Sequence, residues 1–217
     1  MFKIVLFYIG SCALMLLSFF HCGDLTAPPE DGLPEEPEII ILAQSTFYQD
    51  DEGWLTIGDA GPTPDYHDTG GSSGEGDGYI SVIDRNTGIA WYWEAPSKFL
   101  GNQEQAYGGT LSFDLKQNTP GSQSNTNNDV RLLGKIGDVN TTLVYSTDSN
   151  PGTVWTSYIV NLTADSDWYK ETFGGDVPTE SEMREVLATL EHIYIRGEFS
   201  TARDTGSLDS VFLRSGI

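Results

Sequence analysis

The sequence is short of cysteine, of histidine and of positive charge. Its 2 cysteines, Cys12 and Cys22, both fall in the first 22 residues. Nothing beyond them can form a disulfide, act as a thiol nucleophile or build a cysteine zinc site. A domain without such staples is held by its apolar core, with or without help from a metal. The 3 histidines, His21, His67 and His192, lie far apart and make no His-Glu-x-x-His or similar metal pattern. Lys and Arg number 11 against 32 Asp and Glu, a net charge of −21. Phosphate contacts need clustered Lys and Arg, so nucleic acid is excluded as a partner, and anionic lipid headgroups are repelled for the same reason. The acid excess suits the soluble surface of an exported protein and offers oxygen ligands to calcium. Neither a phosphate loop nor an internal repeat is present.

Long apolar runs are also scarce. One stands at the start: Ile4 to Phe20 is broken only by Gly10, Ser11, Cys12 and Ser18, and follows Lys3. It is too short and too poorly flanked for a permanent span, and reads as a secretory signal over residues 1–22. Cys22 ends the run and resembles the lipidated cysteine of a bacterial lipoprotein, although His21 stands where a small residue is usual. Cys12, after Ile9-Gly10-Ser11, matches that local pattern better but leaves too short an apolar run before it. Ordinary signal-peptidase cleavage and an uncleaved anchor are the alternatives. Residues 23–38 form an acidic, proline-rich linker, extended by its prolines and by charge repulsion. Any membrane contact is then through the lipid anchor alone, and the chain is expected in the cell envelope, at the cell surface or secreted.

Residues 39–217 are expected to form one all-β domain. The 24 glycines and 10 prolines predict many turns, and 12% of residues are aromatic. The stretch Trp91 to Lys116 organises the rest. Trp91, Tyr92 and Trp93 put large rings on both faces of a strand, so both faces are covered. Leu111, Phe113 and Leu115 alternate with Ser112 and Asp114, the pattern of a half-buried strand. Further strands are expected at Ser45–Trp54 (ending in an acidic turn), Tyr79–Ile83, Val130–Leu133, Thr142–Ser146, Val154–Val160, Ile193–Glu198 and Leu208–Leu213. Residues 58–78 and 117–128 read as loops, and Asp84 to Gly88 as a tight turn. One helix, Glu180 to Leu190, is marked by the capping box Thr179-x-x-Glu182 and the stripe Met183, Val186, Leu187, Leu190. Roughly ten short strands with one helix make an antiparallel sandwich.

The runs Ala95-Pro-Ser-Lys-Phe-Leu-Gly-Asn102, Ala106 through Lys116, and Arg196-Gly197-Glu198 through Leu213 are similar to the laminin B (laminin domain IV type A) family, as is Phe47 followed by Glu52-Gly53-Trp54. The resemblance covers about residues 45 to 213. It implies a jelly-roll β-sandwich like those of galactose-binding and carbohydrate-binding modules, acting by adhesion or binding and without catalytic residues. The leader and the 117–128 loop differ from matrix members, so a matrix role does not follow.

Sandwiches of this resemblance often hold a structural calcium ion where the opening acidic turn meets the final strand. Asp51, Glu52 and Asp209 are the candidate ligands here; alternatively the first two cap a turn and Asp209 accepts from backbone amides. For carbohydrate, sugars stack on exposed rings, and Tyr66, His67, Trp168 and Tyr169 stand in loop-like sequence, whereas Trp54, Trp91, Trp93 and Trp155 read as core. A glycosidase needs two facing carboxyls; Glu94 and Glu104 are the nearest candidates, but no spacing selects them. Gly70-Gly71-Ser72-Ser73-Gly74 spells a nucleophile elbow without the strand and helix that flank one. The expectation is a non-catalytic module recognising carbohydrate or an extracellular or envelope protein. A passive envelope lipoprotein and a small glycoside hydrolase are the alternatives.

Overall fold

The structure, a computed structural model, describes residues 38–85, 90–119, 128–200 and 202–216. The signal, Cys22, the linker before residue 38, the tip of the turn after Asp84 and most of the 117–128 loop lie outside the described residues. In chain order the strands are β1 (Ile41–Ser45), β2 (Leu55–Ile57), β3 (Asp65–His67), β4 (Tyr79–Ile83), β5 (Tyr92–Glu94) and β6 (Thr110–Gln117). They continue with β7 (Val130–Ile136), β8 (Val139–Tyr145), β9 (Thr156–Asn161), β10 (Tyr169–Lys170), β11 (His192–Arg196) and β12 (Thr205–Arg214). The helix α1 spans Glu180–Ala188.

Two 6-stranded sheets result, one ordered β3-β4-β12-β6-β9 with β1 also on β12, the other β10-β8-β7-β11-β5-β2. Every pairing is antiparallel. The jelly-roll β-sandwich reading is thus correct, with a single α-helix among the described residues. Alternation drives it. Leu111, Phe113 and Leu115 point into the core of the first sheet, while Ile193 and Ile195 of β11 and Val130 and Leu132 of β7 line the second. Burying such sets, at about 25 cal/mol per Å² of apolar surface, is what sets the register.

β12 is the longest strand and changes partner halfway. Residues Thr205 to Leu208 pair with β4, and Val211 to Arg214 with β1, while β6 runs along the other side. The register slips between Asp209 and Phe212, and Ser210 takes φ of 52° there. This extra residue resets the alternation, so that Leu208, Val211 and Leu213 all face inward.

Between the sheets lies Trp91, fully buried and edge-on to Trp93 at 5.0 Å. Gly197, just after β11, and Gly206, in β12, both lie against its ring: a Cβ on Gly197 would come within 2.0 Å of it, and one on Gly206 within 2.8 Å. One indole therefore contacts backbone from both sheets, and both positions need glycine for room. The helix carries both halves of its capping box, buries Met183, Val186 and Leu187, and packs on β7.

The differences from expectation have local causes. β3 falls inside the presumed 58–78 loop; three residues on a sheet edge are too few to show a period. The first strand ends at Ser45, and the chain then turns through Phe47 and Glu52 at φ of 49° and 50°. Trp155 precedes β9 and is half-buried on the outside of the first sheet, not in the core.

Candidate functional site

Two features stand out: a groove on the outer face of the first sheet and a group of buried carboxylates at one end of the sandwich. The groove follows from strand alternation. Since Leu111, Phe113 and Leu115 face in, Thr110, Ser112, Asp114 and Lys116 of β6 face out in one line about 20 Å long. Neighbouring strands add Ser157 and Ile159 from β9 and Ser210, Phe212 and Arg214 from β12, and these with Thr110, Ser112 and Asp114 line a groove of about 430 Å³. The Arg214 guanidinium lies 4.5 Å from the Phe212 ring and donates to Ser112 Oγ at 2.6 Å. This holds the guanidinium over the aromatic ring. Ile159 is 69% exposed.

Aromatic rings cluster farther along the same face. His67 stacks on Tyr79 at 4.4 Å, Tyr79 meets Trp155 edge-on at 5.4 Å, and Lys116 Nζ lies 4.7 and 4.3 Å from those two ring centres. Burial holds the Lys116 ammonium below its ordinary pKa, opposed by Asp209. Trp155 Nε1 donates to Gly70 O, tying the 70–77 loop down over the sheet.

The sequence-predicted residues distribute unevenly over this frame. His67 joins the aromatic group, its Nε2 sharing a 2.8 Å hydrogen bond with Ser81 Oγ. Tyr66 turns the other way, packs on the core and donates its hydroxyl to Tyr48 O. Trp168 is not a platform: it is fully buried against Tyr145 at 5.3 Å, with Nε1 donating to Asn161 O at 2.8 Å. A large ring gains more from the core than its polar neighbours lose by staying outside. Tyr169 is half-buried in β10, edge-on to Phe173. The four residues therefore do not form one surface.

Nor do the three candidate calcium ligands converge. Asp51 Oδ1 accepts from Gly53 N; Glu52 Oε1 accepts from Thr46 N and Phe47 N, and its Oε2 pairs with Lys98. Asp209 is fully buried and accepts from Ser72 N at 2.7 Å and Ser210 N at 2.6 Å. Burial pushes its pKa up to about 6, with Asp77 adding to the rise and the Ser72 amide opposing it. Of the catalytic candidates, Glu94 pairs with His192 Nδ1 at 2.8 Å, and Glu104 opens a 3₁₀ turn.

The carboxylates that do converge are others. Among the described residues, the one group of three whose ligand atoms lie within 4.8 Å of one another is Asp59, Asp84 and Glu198. Asp59 follows β2, Asp84 follows β4, and Glu198 follows β11, so three strand ends deliver them. Asp204, before β12, joins through Asp84 N, which donates to Asp204 O at 3.0 Å. Burial pushes Glu198 up to about 7, helped by Asp59, Asp84 and Asp204 and opposed by Arg196; Asp204 rises to about 6 through burial and Asp84. A depression of about 570 Å³, lined by Asp59, Thr63, Asp65 and Arg85 among others, opens beside them. Sequence reasoning missed this group because its members are scattered along the chain. The one local signal was Glu198 in the Arg-Gly-Glu triplet.

Neighbouring residues explain that triplet. Arg196 is buried, donates to Asp129 Oδ1 at 3.1 Å and lies 4.7 Å from the Phe199 ring. Gly197 makes room for Trp91, and Glu198 enters the carboxylate group.

The laminin B (domain IV) family profile matches residues 92–217. Laminin subunit gamma-1 of Danio rerio is 31% identical over 173 residues, which is 78% of this chain and 10% of that protein. The chain thus spans about a tenth of the length of that relative. Among solved structures, the L4b domain of human laminin alpha-2 superposes with a TM-score of 0.58 at 13% identity, covering 82% of this chain and 100% of that one. A family 11 carbohydrate-binding module from a cellulosomal cellulase of Clostridium thermocellum gives 0.50 at 15% identity, over 83% of this chain and 95% of that one. Identities this low show a shared fold and nothing finer. With the profile match extending over the greater part of the sequence, the chain belongs to the laminin B (domain IV) family.

Proposed function

We propose that this chain is a non-catalytic binding module of an exported protein, and that it takes an extended carbohydrate along the outer face of the sheet carrying β6, β9 and β12. The observation that carries the reading is the groove itself. Asp114, Ser112, Ser157, Ser210 and Arg214 point hydroxyl, carboxylate and guanidinium groups into a shallow apolar bed of Phe212 and Ile159. Sugars present both alternating hydroxyls and apolar ring faces, and such a bed with a few placed polar groups matches them. Likeness to a carbohydrate-binding module and to a laminin domain supports a binding role over a catalytic one. Export and anchoring rest on the leader and on Cys22; a diacylglyceryl mass increment on the exported protein is the expected result, and its absence refutes the lipid anchor.

The second reading, an extracellular or envelope protein as ligand, is favoured by edge strand β9 and its exposed Ile159. Thermal melts against a panel of soluble glycans decide between them. A ligand at a hundred times its dissociation constant adds about 2.7 kcal/mol. A saturable rise with one glycan class, lost in Asp114→Ala and Arg214→Ala, is expected. No rise with any glycan overturns the carbohydrate reading and leaves protein adhesion.

A further inference from the structure

We propose that Asp59, Asp84, Glu198 and Asp204 hold one calcium ion at the end of the sandwich where β2, β4 and β11 finish and β12 begins. The site is distinct from the groove and from the Asp51, Glu52 and Asp209 set. Calcium takes 6–8 oxygen ligands at about 2.3–2.6 Å, so ligands on opposite sides of one ion stand about 4.6–5.2 Å apart. The ligand atoms of Asp59, Asp84 and Glu198 lie within 4.8 Å of one another. All donors are carboxylates, the hard oxygen set that suits calcium, with no nitrogen or sulfur to favour zinc.

A second observation points to a ligand. Glu198 and Asp204 are each 2% exposed, yet Glu198 Oε2 and both Asp204 carboxylate oxygens are buried with no hydrogen-bond partner among the described residues. Their charges bear on the group: Asp204 and Asp84 each act on Glu198, and Asp84 acts on Asp204. A buried carboxylate left so is costly unless something neutralises it. The same protein shows how it satisfies one. Asp129, 5% exposed, accepts from Arg196, Ser146 Oγ, Thr147 N and Thr147 Oγ1. Arg196 donates to Asp129 and also favours the ionised form of Glu198, yet one guanidinium against Asp129 and the Asp59, Asp84 and Glu198 group leaves an excess of negative charge for a cation to offset. Asp59, partly exposed, lines both the group and the open depression, which gives an ion a way in.

The test uses the whole chain, stripped with chelator. Calorimetry with calcium chloride is expected to give one site, and calcium to raise the melting temperature saturably. Terbium is a second probe: Trp91 lies against Gly197, next to Glu198, and sensitises terbium emission that calcium then quenches by displacement. Glu198→Gln and Asp204→Asn are expected to weaken binding at least tenfold, and Asp209→Asn to leave it unchanged. Should the buried variants fail to fold, Asp59→Ala at the rim carries the same expectation. Absence of calcium heat and of terbium emission in the parent overturns the proposal. So does binding that survives all these changes but is lost in Asp209→Asn.

Discussion

Replacing Gly197 by alanine tests whether a single indole couples the two sheets. The added Cβ would stand 2.0, 2.1 and 2.4 Å from Trp91 Cζ3, Cη2 and Cε3. Carbon atoms rest at about 3.5–4.0 Å, so the ring or the strand must retreat by roughly 1.5 Å. The ring has nowhere to go: Gly206 backs it on the β12 side and Trp93 stands 5.0 Å away. Overpacking in a filled core costs about 1–3 kcal/mol where neighbours yield, and losing a tryptophan's packing costs about 3–5 kcal/mol. With both escape routes closed, Gly197→Ala should cost at least about 3 kcal/mol. For a domain of this size that lowers the melting temperature by about 6–12 °C. Urea unfolding followed by tryptophan fluorescence gives the free energy. The decisive measurement is a double-mutant cycle with Trp91→Leu. If the clash is the cause, the alanine costs far less once the indole is gone, with a coupling of about 2 kcal/mol or more. A single mutant within about 0.5 kcal/mol of the parent, or an additive cycle, refutes the reasoning.

Two further outcomes follow from the same geometry. Glu182 accepts from Lys170 Nζ at 2.8 Å and from Thr179 N at 2.7 Å, and these bonds, the lysine's foremost, hold its pKa down at about 2. The folded state therefore favours the carboxylate. That stabilisation is complete above the ordinary glutamate range and is lost as pH falls from about 4.5 towards 2. Glu182→Gln should melt about 1 kcal/mol below the parent at pH 6 and alongside it at pH 2; a gap that does not narrow in acid refutes the assignment. Trp168→Ala should cost about 3–5 kcal/mol as a core truncation, measured by denaturant unfolding. Near-parental stability would return the ring to the surface.

What was legible in the sequence is what strand and helix periods encode. The alternation of Leu111, Phe113 and Leu115 named the inner face of β6 and, by default, the outer face on which Asp114 and Lys116 lie. Thr179 and Glu182 announced the helix start because a capping box is a local bond between residues three apart. The errors arose where local composition and tertiary position disagree. Trp168 stands among Asp165, Ser166 and Asp167, and that polarity suggested exposure; the chain around it stays wet while the ring alone turns in. Trp155 stands in a β-rich run that suggested core, yet it precedes the strand and packs across the outer face under Lys116.

The carboxylate group shows a different limit. Asp59, Asp84 and Glu198 each sit just past a strand end, where an acidic residue is ordinary turn chemistry, and nothing near any of them signals the others. Only the pairing order brings them together, because β2, β4 and β11 all finish at the same end of the sandwich. The Arg-Gly-Glu-Phe run from Arg196 to Phe199 then acquires a reason for every member. Arg196 pairs with Asp129 and lies over Phe199, Gly197 admits Trp91, and Glu198 completes the acidic group. Packing and site are therefore not separable there: whatever moves Trp91 moves the backbone that presents Glu198. Gly197→Ala should accordingly weaken calcium binding as well as stability, whereas Trp168→Ala, at the far side of the core against Asn161, should lower stability alone.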